Sequence, residues 1–222
     1  MTNNEIIKIV TERVIKKLKE YNDFKIPVGV SNRHVHVSQE DLEVLFGKGY
    51  ELTKKSVLKQ PGQYASNETV TIRGPKGEFE RVRILGPVRA KSQVEISKTD
   101  SFRLGIKPPI RESGKLDGTP GIEIIGPKGK IVLSYGAIIA FRHIHMTPEQ
   151  ALAMGLRDNE IVDVETFGER KGIFGDVLVR VSDKSALEMH VDVDEANAFS
   201  LNNNDYVVIK HDNNQERGSI CS

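Results

Sequence analysis

An internal repeat constrains this chain more than any other feature of its sequence. Residues 33–41 and residues 142–150 are identical or chemically close at seven of nine positions. Each copy carries His-x-His, followed by a residue suited to cap the N-terminus of a helix, Ser38 or Thr147. A short apolar-periodic stretch comes next in both copies, so each unit is predicted to be a strand followed by a short helix. A duplication of this kind predicts two related domains.

From Lys25 onward the chain consists of short β-prone runs separated by glycine and proline. Gly-Pro-Lys-Gly occurs at residues 74–77 and 126–129, where proline fixes φ and glycine is expected to adopt the left-handed conformation of a hairpin turn. Strands this short and this numerous favour small barrels over a doubly wound sheet. The predicted strands are residues 28–30, 69–73, 79–85, 93–97, 122–125, 130–133, 137–141, 161–166, 176–181, 189–193 and 206–210.

The predicted fold is therefore mainly β, with two related small β-barrel domains, short capping helices and an N-terminal amphipathic helix. Glycine and proline cluster at residues 111–121, which is typical of a boundary between domains. The division expected is residues 1–24 for the helix, 25–115 for the first barrel and 116–222 for the second. An exchange of strands between the two barrels is compatible with this division.

Residues 4–20 stand apart from the β-prone body. Their apolar side chains recur at spacings of three and four: Ile7, Val10, Val14 and Leu18. This periodicity predicts an amphipathic helix, with Asn4 as its N-cap. Two interpretations stay open, since the apolar stripe can pack on the body of its own protein or dock on a partner.

The charge balance and the absence of long apolar runs exclude several classes of function. The chain has 32 basic and 31 acidic residues and a formal charge of +1, so no nucleic-acid partner is expected. No apolar run approaches the ~18 residues of a transmembrane helix, and no membrane partner is expected. The first residues do not resemble a secretory signal, and the single cysteine, Cys221, cannot form an internal disulfide. A reducing, cytoplasmic location is therefore predicted.

The two His-x-His pairs carry the clearest chemical signal. Side chains two residues apart on a strand point to the same face, so each pair presents two imidazoles together. The pairs are His34 with His36 and His143 with His145. Two imidazoles on a rigid strand suit a zinc site, although one isolated pair is more often a pair of solvated or hydrogen-bonded histidines.

A second, fainter match strengthens the metal-site interpretation. Residues 92–97 resemble residues 187–192, and in this alignment Glu95 corresponds to His190. Both are residue types that bind metals, and both follow their His-x-His at a later predicted strand. His211 belongs to no pattern and is predicted to lie at the surface.

The same residues also spell the first metal motif of a cupin, in which a glutamate follows His-x-His after three residues. Glu40 and Glu149 stand at that spacing, and two copies would make a bicupin-like metal-dependent oxygenase or isomerase. Pro148 argues against a continuing strand in the second copy, and both glutamates suit the first turn of a helix. The bicupin remains the alternative prediction, and a non-catalytic binding protein is a further one.

Several longer segments closely resemble the phosphate propanoyltransferase family, the phosphotransacylases of bacterial microcompartments and related acyl-CoA metabolism. These segments are residues 26–38, 60–65, 85–97, 142–146 and 188–197. The resemblance runs from about Lys25 to about Ala198. It implies two β-barrel domains, two zinc ions between them, and conversion of acyl-CoA plus phosphate to acyl phosphate plus coenzyme A. Propanoyl-CoA and acetyl-CoA are the implied acyl donors, and propanediol degradation is the implied pathway.

The resemblance also implies roles for particular residues. The first metal would be held by His34, His36 and Glu95, and the second by His143, His145 and His190. The active-site arginine would be Arg89, whereas no coenzyme A contact is assigned. Residues 4–20 resemble the peptide that directs family members to a microcompartment shell, and a homo-oligomer is expected.

A mechanism follows as a hypothesis. Arg89 is expected to bind phosphate through two parallel hydrogen bonds from its guanidinium group. Phosphate is expected to attack the thioester directly, since no serine or cysteine nucleophile emerges. Arg33 and Arg142, next to the His-x-His pairs, are predicted to face the opposite side of their strands in structural roles. Because Glu95 adds a negative charge to the first site, its ion is expected to lie nearest the chemistry.

Overall fold

The computed structural model describes residues 2, 5–11, 13 and 24–210. Residues 5–11 are helical and exposed, in agreement with the start of the predicted N-terminal helix. Its predicted cap Asn4, the part of that helix beyond residue 13, and also His211 and Cys221, lie outside the described residues. In the described ranges, no helix has both the length and the apolar character needed to cross a bilayer.

The described residues are mainly β, as predicted. The strands are β1 (Ile26–Ser31), β2 (His34–His36), β3 (Lys54–Val57), β4 (Tyr64–Arg73), β5 (Glu78–Gly86), β6 (Gln93–Glu95), β7 (Ile110–Arg111), β8 (Ile122–Ile125), β9 (Lys130–Leu133), β10 (Ala137–Ala140), β11 (His143–Met146), β12 (Ile161–Thr166), β13 (Ile173–Val181), β14 (Glu188–Asp192) and β15 (Tyr206–Lys210). The short helices between them are α1 (Gln39–Phe46), α2 (Lys98–Leu104), α3 (Pro148–Met154) and α4 (Val193–Phe199).

Within the described residues the strands form two bodies, each with its own apolar core. One is a closed barrel in the order β1-β14-β11-β13-β12-β15, filled by buried side chains such as Ile26, Ile144 and Met189. The other is a curled half-barrel sheet in the order β7-β10-β6-β2-β5-β4-β8-β9, with β3 paired to β4. Its core includes Leu42 and Ile84. The prediction of two related barrel-like units is confirmed.

The strand that precedes each His-x-His crosses to the opposite body. β1 precedes the first pair, yet it lies parallel to β14 in the closed barrel. β10 precedes the second pair, yet it lies parallel to β6 in the curled sheet. This reciprocal exchange is of the kind that the sequence prediction allowed. The predicted boundary between residues 115 and 116 falls between β7 and β8, which belong to the same sheet.

The two Gly-Pro-Lys-Gly segments form hairpin turns, but the expected role of their glycines is wrong. Residues 74–77 join β4 to β5 and residues 126–129 join β8 to β9. None of the glycines in these two turns has a positive φ. A Cβ at Gly74 or Gly126 would instead overlap the main-chain carbonyl at the end of α2 or α1. Glycine is therefore required by the close approach of a helix rather than by the turn conformation.

Helix capping explains where sequence prediction succeeded and where it failed. Ser38 and Thr147 cap α1 and α3, as predicted. The predicted strands at 93–97 and 189–193 end earlier, because Ser97 and Asp192 cap helices α2 and α4 that were not predicted. Both caps belong to reciprocal capping boxes, whose sequence signature is a short polar residue followed three positions later by an acid.

Candidate active site

The first site consists of His34, His36 and Glu95. β2 directs both histidines to one face, and β6 runs antiparallel beside it so that His34 lies opposite Glu95. All three residues are buried, with exposed fractions of 8%, 3% and 9%. Nε2 of His34 is 3.4 Å from Oε2 of Glu95, and Nε2 of His36 is 3.8 Å from Oε1.

Main-chain carbonyls orient both imidazoles of the first site. Nδ1 of His34 donates to the carbonyl oxygen of Asn32 at 2.8 Å, and Nδ1 of His36 donates to that of Leu85 at 3.2 Å. A carbonyl only accepts, so Nδ1 carries the proton in each ring. Nε2 is therefore left facing Glu95, as in metal sites whose histidines are held by outer hydrogen bonds.

The second site consists of His143, His145 and His190 and repeats this plan. β11 and β14 are antiparallel, with His143 opposite His190. Nδ1 of His143 donates to the carbonyl oxygen of Phe141 at 2.7 Å, and its Nε2 lies 3.0 Å from Nε2 of His145. The ring centroids of the three histidines are separated by 4.7, 5.1 and 5.0 Å.

Both sites fit a divalent metal ion. In each, the three donor atoms lie within 4.8 Å of one another, and nitrogen and carboxylate oxygen are donors that zinc accepts. Burial, aided by the charge of neighbouring histidines, lowers the pKa of His143 to about 4 and that of His145 to about 2. These imidazoles are therefore neutral at pH 7, which is the form that binds a metal. Three protein donors leave a fourth position for a substrate atom.

A buried carboxylate among the donors distinguishes the first site. Burial alone would lower the pKa of His34, but the charge and hydrogen bond of Glu95 outweigh it and raise that pKa. Burial alone would likewise raise the pKa of Glu95, but the charge of His34 holds it well below its usual range. The pKa of His36 falls to about 3, first through burial and then through the charge of His34.

Both sites and Arg89 open into one cavity of about 470 Å³ whose walls come from both bodies. Arg89 is half-buried, and its Nη1 donates to Oγ of Ser113 at 2.9 Å. Burial lowers its pKa, but a guanidinium remains charged at any pH at which the protein functions. The structure thus brings all seven predicted site residues together in a single cavity.

The sequence analysis missed three residues that line the cavity, Arg83, Arg180 and Glu188, and one that lies beside the first site, Gln93. Arg180 lies opposite His145 in β13, and Arg83 lies opposite His34 in β5. Gln93 and Glu188 precede the third donor of their sites by two residues, so they share its strand face. The alignment of residues 92–97 with residues 187–192 already pairs the last two, whereas the arginines depend on strand pairing that no local pattern indicates.

The two arginines beside the His-x-His pairs bind acids of the capping boxes. Arg33 forms a two-pronged ion pair with Asp100, at 2.9 and 2.7 Å, and stacks on Phe79. Arg142 donates to Glu195 at 3.0 Å through Nη1. Each pair ties a His-x-His strand to the helix that follows the third donor, which is the structural role expected of both arginines.

The fold and the site define a class of duplicated β protein in which two three-residue groups that could each hold a metal ion share one cationic cavity. The sequence profile of the family described as phosphate propanoyltransferase matches residues 27–202. Relatives with that name include one from Thermotoga maritima, 58% identical over 90% of this chain and 99% of the relative. The relative from Rhodopseudomonas palustris is 55% identical, with 84% and 82% covered. The relative from Salmonella typhimurium is 48% identical, with 88% and 93% covered.

The chain belongs to the phosphate propanoyltransferase family, and it is an acyltransferase of the kind that transfers acyl groups to phosphate. The resemblance of the sequence motifs to this family is thus confirmed. The bicupin alternative is not supported, because Glu40 and Glu149 lie exposed in the first turns of α1 and α3, outside both metal sites.

Proposed function

We propose that the chain catalyses the reversible reaction of acyl-CoA and phosphate to give acyl phosphate and coenzyme A, with propanoyl-CoA and acetyl-CoA as acyl donors. One observation carries the proposal. Two metal-type sites and Arg89 share one cavity in a chain whose relatives are named phosphate propanoyltransferase.

We assign two zinc ions as cofactors, one to each site, on the chemistry of the donors. A bound zinc ion would supply Lewis acidity toward a thioester carbonyl and a coordination position that accepts a thiolate sulfur. The chain itself contributes the neutral imidazoles, the Glu95 carboxylate and the hydrogen bonds that fix the rings of His34 and His143.

Arg89 is assigned to bind phosphate. A guanidinium presents paired N–H donors that match two oxygens of a phosphate, and this holds a third oxygen in position for attack. In the transfer, that oxygen forms a bond to the thioester carbon, the carbon–sulfur bond breaks, and coenzyme A leaves as the thiolate. Lys59, Arg83 and Arg180 also line the cavity and favour the entry of two polyanionic substrates.

The remaining assignments concern the surroundings of the enzyme. Residues 4–20 are proposed to dock on a microcompartment shell protein, which would place the enzyme in a cytoplasmic microcompartment for propanediol degradation. The exposed Ile7 and Val10 of the helical residues 5–11 support a docking face. A homo-oligomer is proposed as well.

Release of free thiol from acyl-CoA tests the proposed reaction. Propanoyl-, acetyl- and butanoyl-CoA are each incubated with purified protein, with and without phosphate, and the metal content of the same sample is measured. We expect thiol release that requires phosphate, together with two zinc ions per chain. Thiol release without phosphate would indicate a hydrolase and contradict the proposal.

Two matched variants separate this proposal from a cupin-like site. His34→Ala should lose the zinc ion of the first site and, with it, activity. Glu40→Gln should retain that ion and full activity because its side chain faces solvent. Loss of metal in Glu40→Gln would mean that this glutamate binds the ion, as in a cupin.

A further inference from the structure

The residue two positions before the third donor differs between the two sites. Gln93 lies opposite His36, and its amide donates to Glu95. At the matching place Glu188 lies opposite His145, and its Oε2 is 2.7 Å from Nε2 of His190. The first site therefore has a carboxylate among its donors and an amide beside them. In the second site the carboxylate lies beside an all-imidazole set.

Glu188 is held firmly in this position. It is 8% exposed, and its Oε2 also lies 3.4 Å from Nε2 of Gln60. Gln60 is itself 4% exposed and makes two bonds to Ala186, donating to its carbonyl at 2.9 Å and accepting from its amide at 3.1 Å. Gln60 lies between β3 and β4 of the curled sheet, so it braces Glu188 across the boundary with the closed barrel.

Strand β1 of the closed barrel also limits the space available to the side chains of Glu188 and His190. Gly29 pairs with His190 in β1, and a Cβ on Gly29 would lie 2.9 Å from Cδ of Glu188 and 3.1 Å from Cδ2 of His190. A larger residue there would push the Glu188 carboxyl group away from its present position. A buried carboxylate costs folding free energy unless it is paired, and the described partners of Glu188 are His190, Gln60 and the more distant Lys59.

We propose that Glu188 is a positioning residue of the second site, which orients His190 and provides the negative charge that the first site obtains from Glu95. This inference rests on the two-ion part of the proposed function. A carboxylate hydrogen-bonded to a metal-binding histidine fixes the ring and raises its basicity, and its loss typically weakens metal binding about 10–100-fold. Each site then has one carboxylate for one divalent ion.

Zinc titration in single-site proteins tests the inference. His34→Ala leaves only the second site intact, and His190→Ala leaves only the first. Glu188→Gln is introduced into each background, and zinc affinity is measured by competition with a chromophoric chelator. In the His34→Ala background we expect affinity to fall about 10–100-fold. In the His190→Ala background we expect no change. Glu165→Gln, an exposed glutamate on the same barrel, should leave affinity unchanged in both.

Unchanged affinity in the His34→Ala background would overturn the inference, as would an equal loss in both backgrounds. The first site already has glutamine, Gln93, at the position that matches Glu188. The Glu188→Gln protein should therefore fold, and thermal melting of the metal-free protein checks this. If it does not fold, Gln60→Ala replaces it and should weaken zinc binding in the His34→Ala background only. Equal effects of Gln60→Ala in both backgrounds would again overturn the inference. Wild-type protein without two zinc ions would contradict the proposed function as well.

Discussion

The first and second sites share one arrangement of strands but differ in burial and charge. All three residues of the first site are buried, and one of them is a carboxylate, Glu95, that lies 3.4 Å from His34. In the second site only His143 is fully buried, whereas His145 and His190 are partly exposed. The second site also borders a smaller cavity of about 360 Å³, to which His145 contributes. The first site is therefore enclosed and has its carboxylate among the donors, whereas the second site is more open and has its carboxylate beside them.

This difference shows what strand pairing does and does not determine. Antiparallel pairing places a third donor opposite the first histidine in both bodies. It places no restriction on whether that donor is a carboxylate or an imidazole. Duplication has therefore preserved positions while the chemistry at those positions has diverged. Because electrostatic interactions are strongest where water is excluded, the enclosed first site is the better environment for charge that develops during the reaction.

The largest expected effect tests this ranking directly. His34→Ala should lower kcat by at least about 1,000-fold, since a catalytic metal contributes several kcal/mol and each 1.36 kcal/mol is tenfold. His145→Ala, in the more open site, should lower it less. Phosphate-dependent thiol release and metal analysis measure both variants. Glu149→Gln is the control, as it changes an exposed helix residue near His145 in sequence. A larger loss in His145→Ala would reverse the ranking of the sites.

Two arginines extend the comparison to phosphate. Arg89 interacts electrostatically with Glu95 of the first site, and Arg180 lies opposite His145 of the second. Arg89→Lys keeps the charge but loses the planar pair of donors, so the KM for phosphate should rise about 10–100-fold. The KM for acyl-CoA should change little, and Arg180→Lys should have the smaller effect on phosphate. Steady-state kinetics with Arg157→Lys, an exposed control, decides this. Equal phosphate KM values for the Arg89→Lys and wild-type proteins would exclude the assigned role.

The ion pairs behind the two sites should differ in their contribution to stability. Arg33 makes two bonds to Asp100, whose side chain is 4% exposed, whereas Arg142 makes one bond to Glu195, which is 24% exposed. Arg33→Ala leaves a buried charge without its partner and should lower the free energy of unfolding by about 3 kcal/mol. Arg142→Ala should cost about 1 kcal/mol. Urea denaturation of the metal-free proteins measures both values.

A double variant provides the control for this difference. If the cost of Arg33→Ala arises from the unpaired carboxylate, then adding Asp100→Asn should recover part of it. A cost for Arg142→Ala equal to that for Arg33→Ala would show that partner burial does not govern these pairs.

Local sequence was sufficient to predict much of the fold and to single out the candidate donors that the structure groups together. The His-x-His pairs, the caps Ser38 and Thr147, and the hairpins at 74–77 and 126–129 all depend on residues close together in the chain. Repetition then identified Glu95 and His190, because the second copy confirmed a pattern that was weak in the first. Glu188 was missed since a single glutamate on a strand has many ordinary explanations.

The elements that the sequence did not predict depend on pairing between distant strands, on exposed strands, or on helices that closely follow a strand. β1 pairs with β14, about 160 residues later, and no local pattern specifies that register. β3 is exposed at all four residues, so it lacks the apolar alternation by which strands are predicted. Helices α2 and α4 begin within three residues of the end of a strand, and the apolar side chains of Ile96 and Val193 extended the predicted strands to or beyond their caps.

The smallest expected effect concerns the N-terminal segment, in contrast to the two bodies. Ile6, Ile7, Ile9 and Val10 are exposed, at 44%, 62%, 40% and 53%, so these side chains bury little apolar surface against either body. A chain that begins at Lys25 should therefore keep its melting temperature within about 2 °C, which corresponds to about 0.5–1 kcal/mol for a protein of this size. Its kcat should also be unchanged, because the described residues that line the cavity begin at Gly29. Thermal melting and thiol release measure both quantities, with Ile7→Ser/Val10→Ser in the full chain as the matched variant. A large fall in melting temperature together with lost activity would show that the segment belongs to the fold, and the proposed docking of residues 4–20 on a shell protein would then be abandoned.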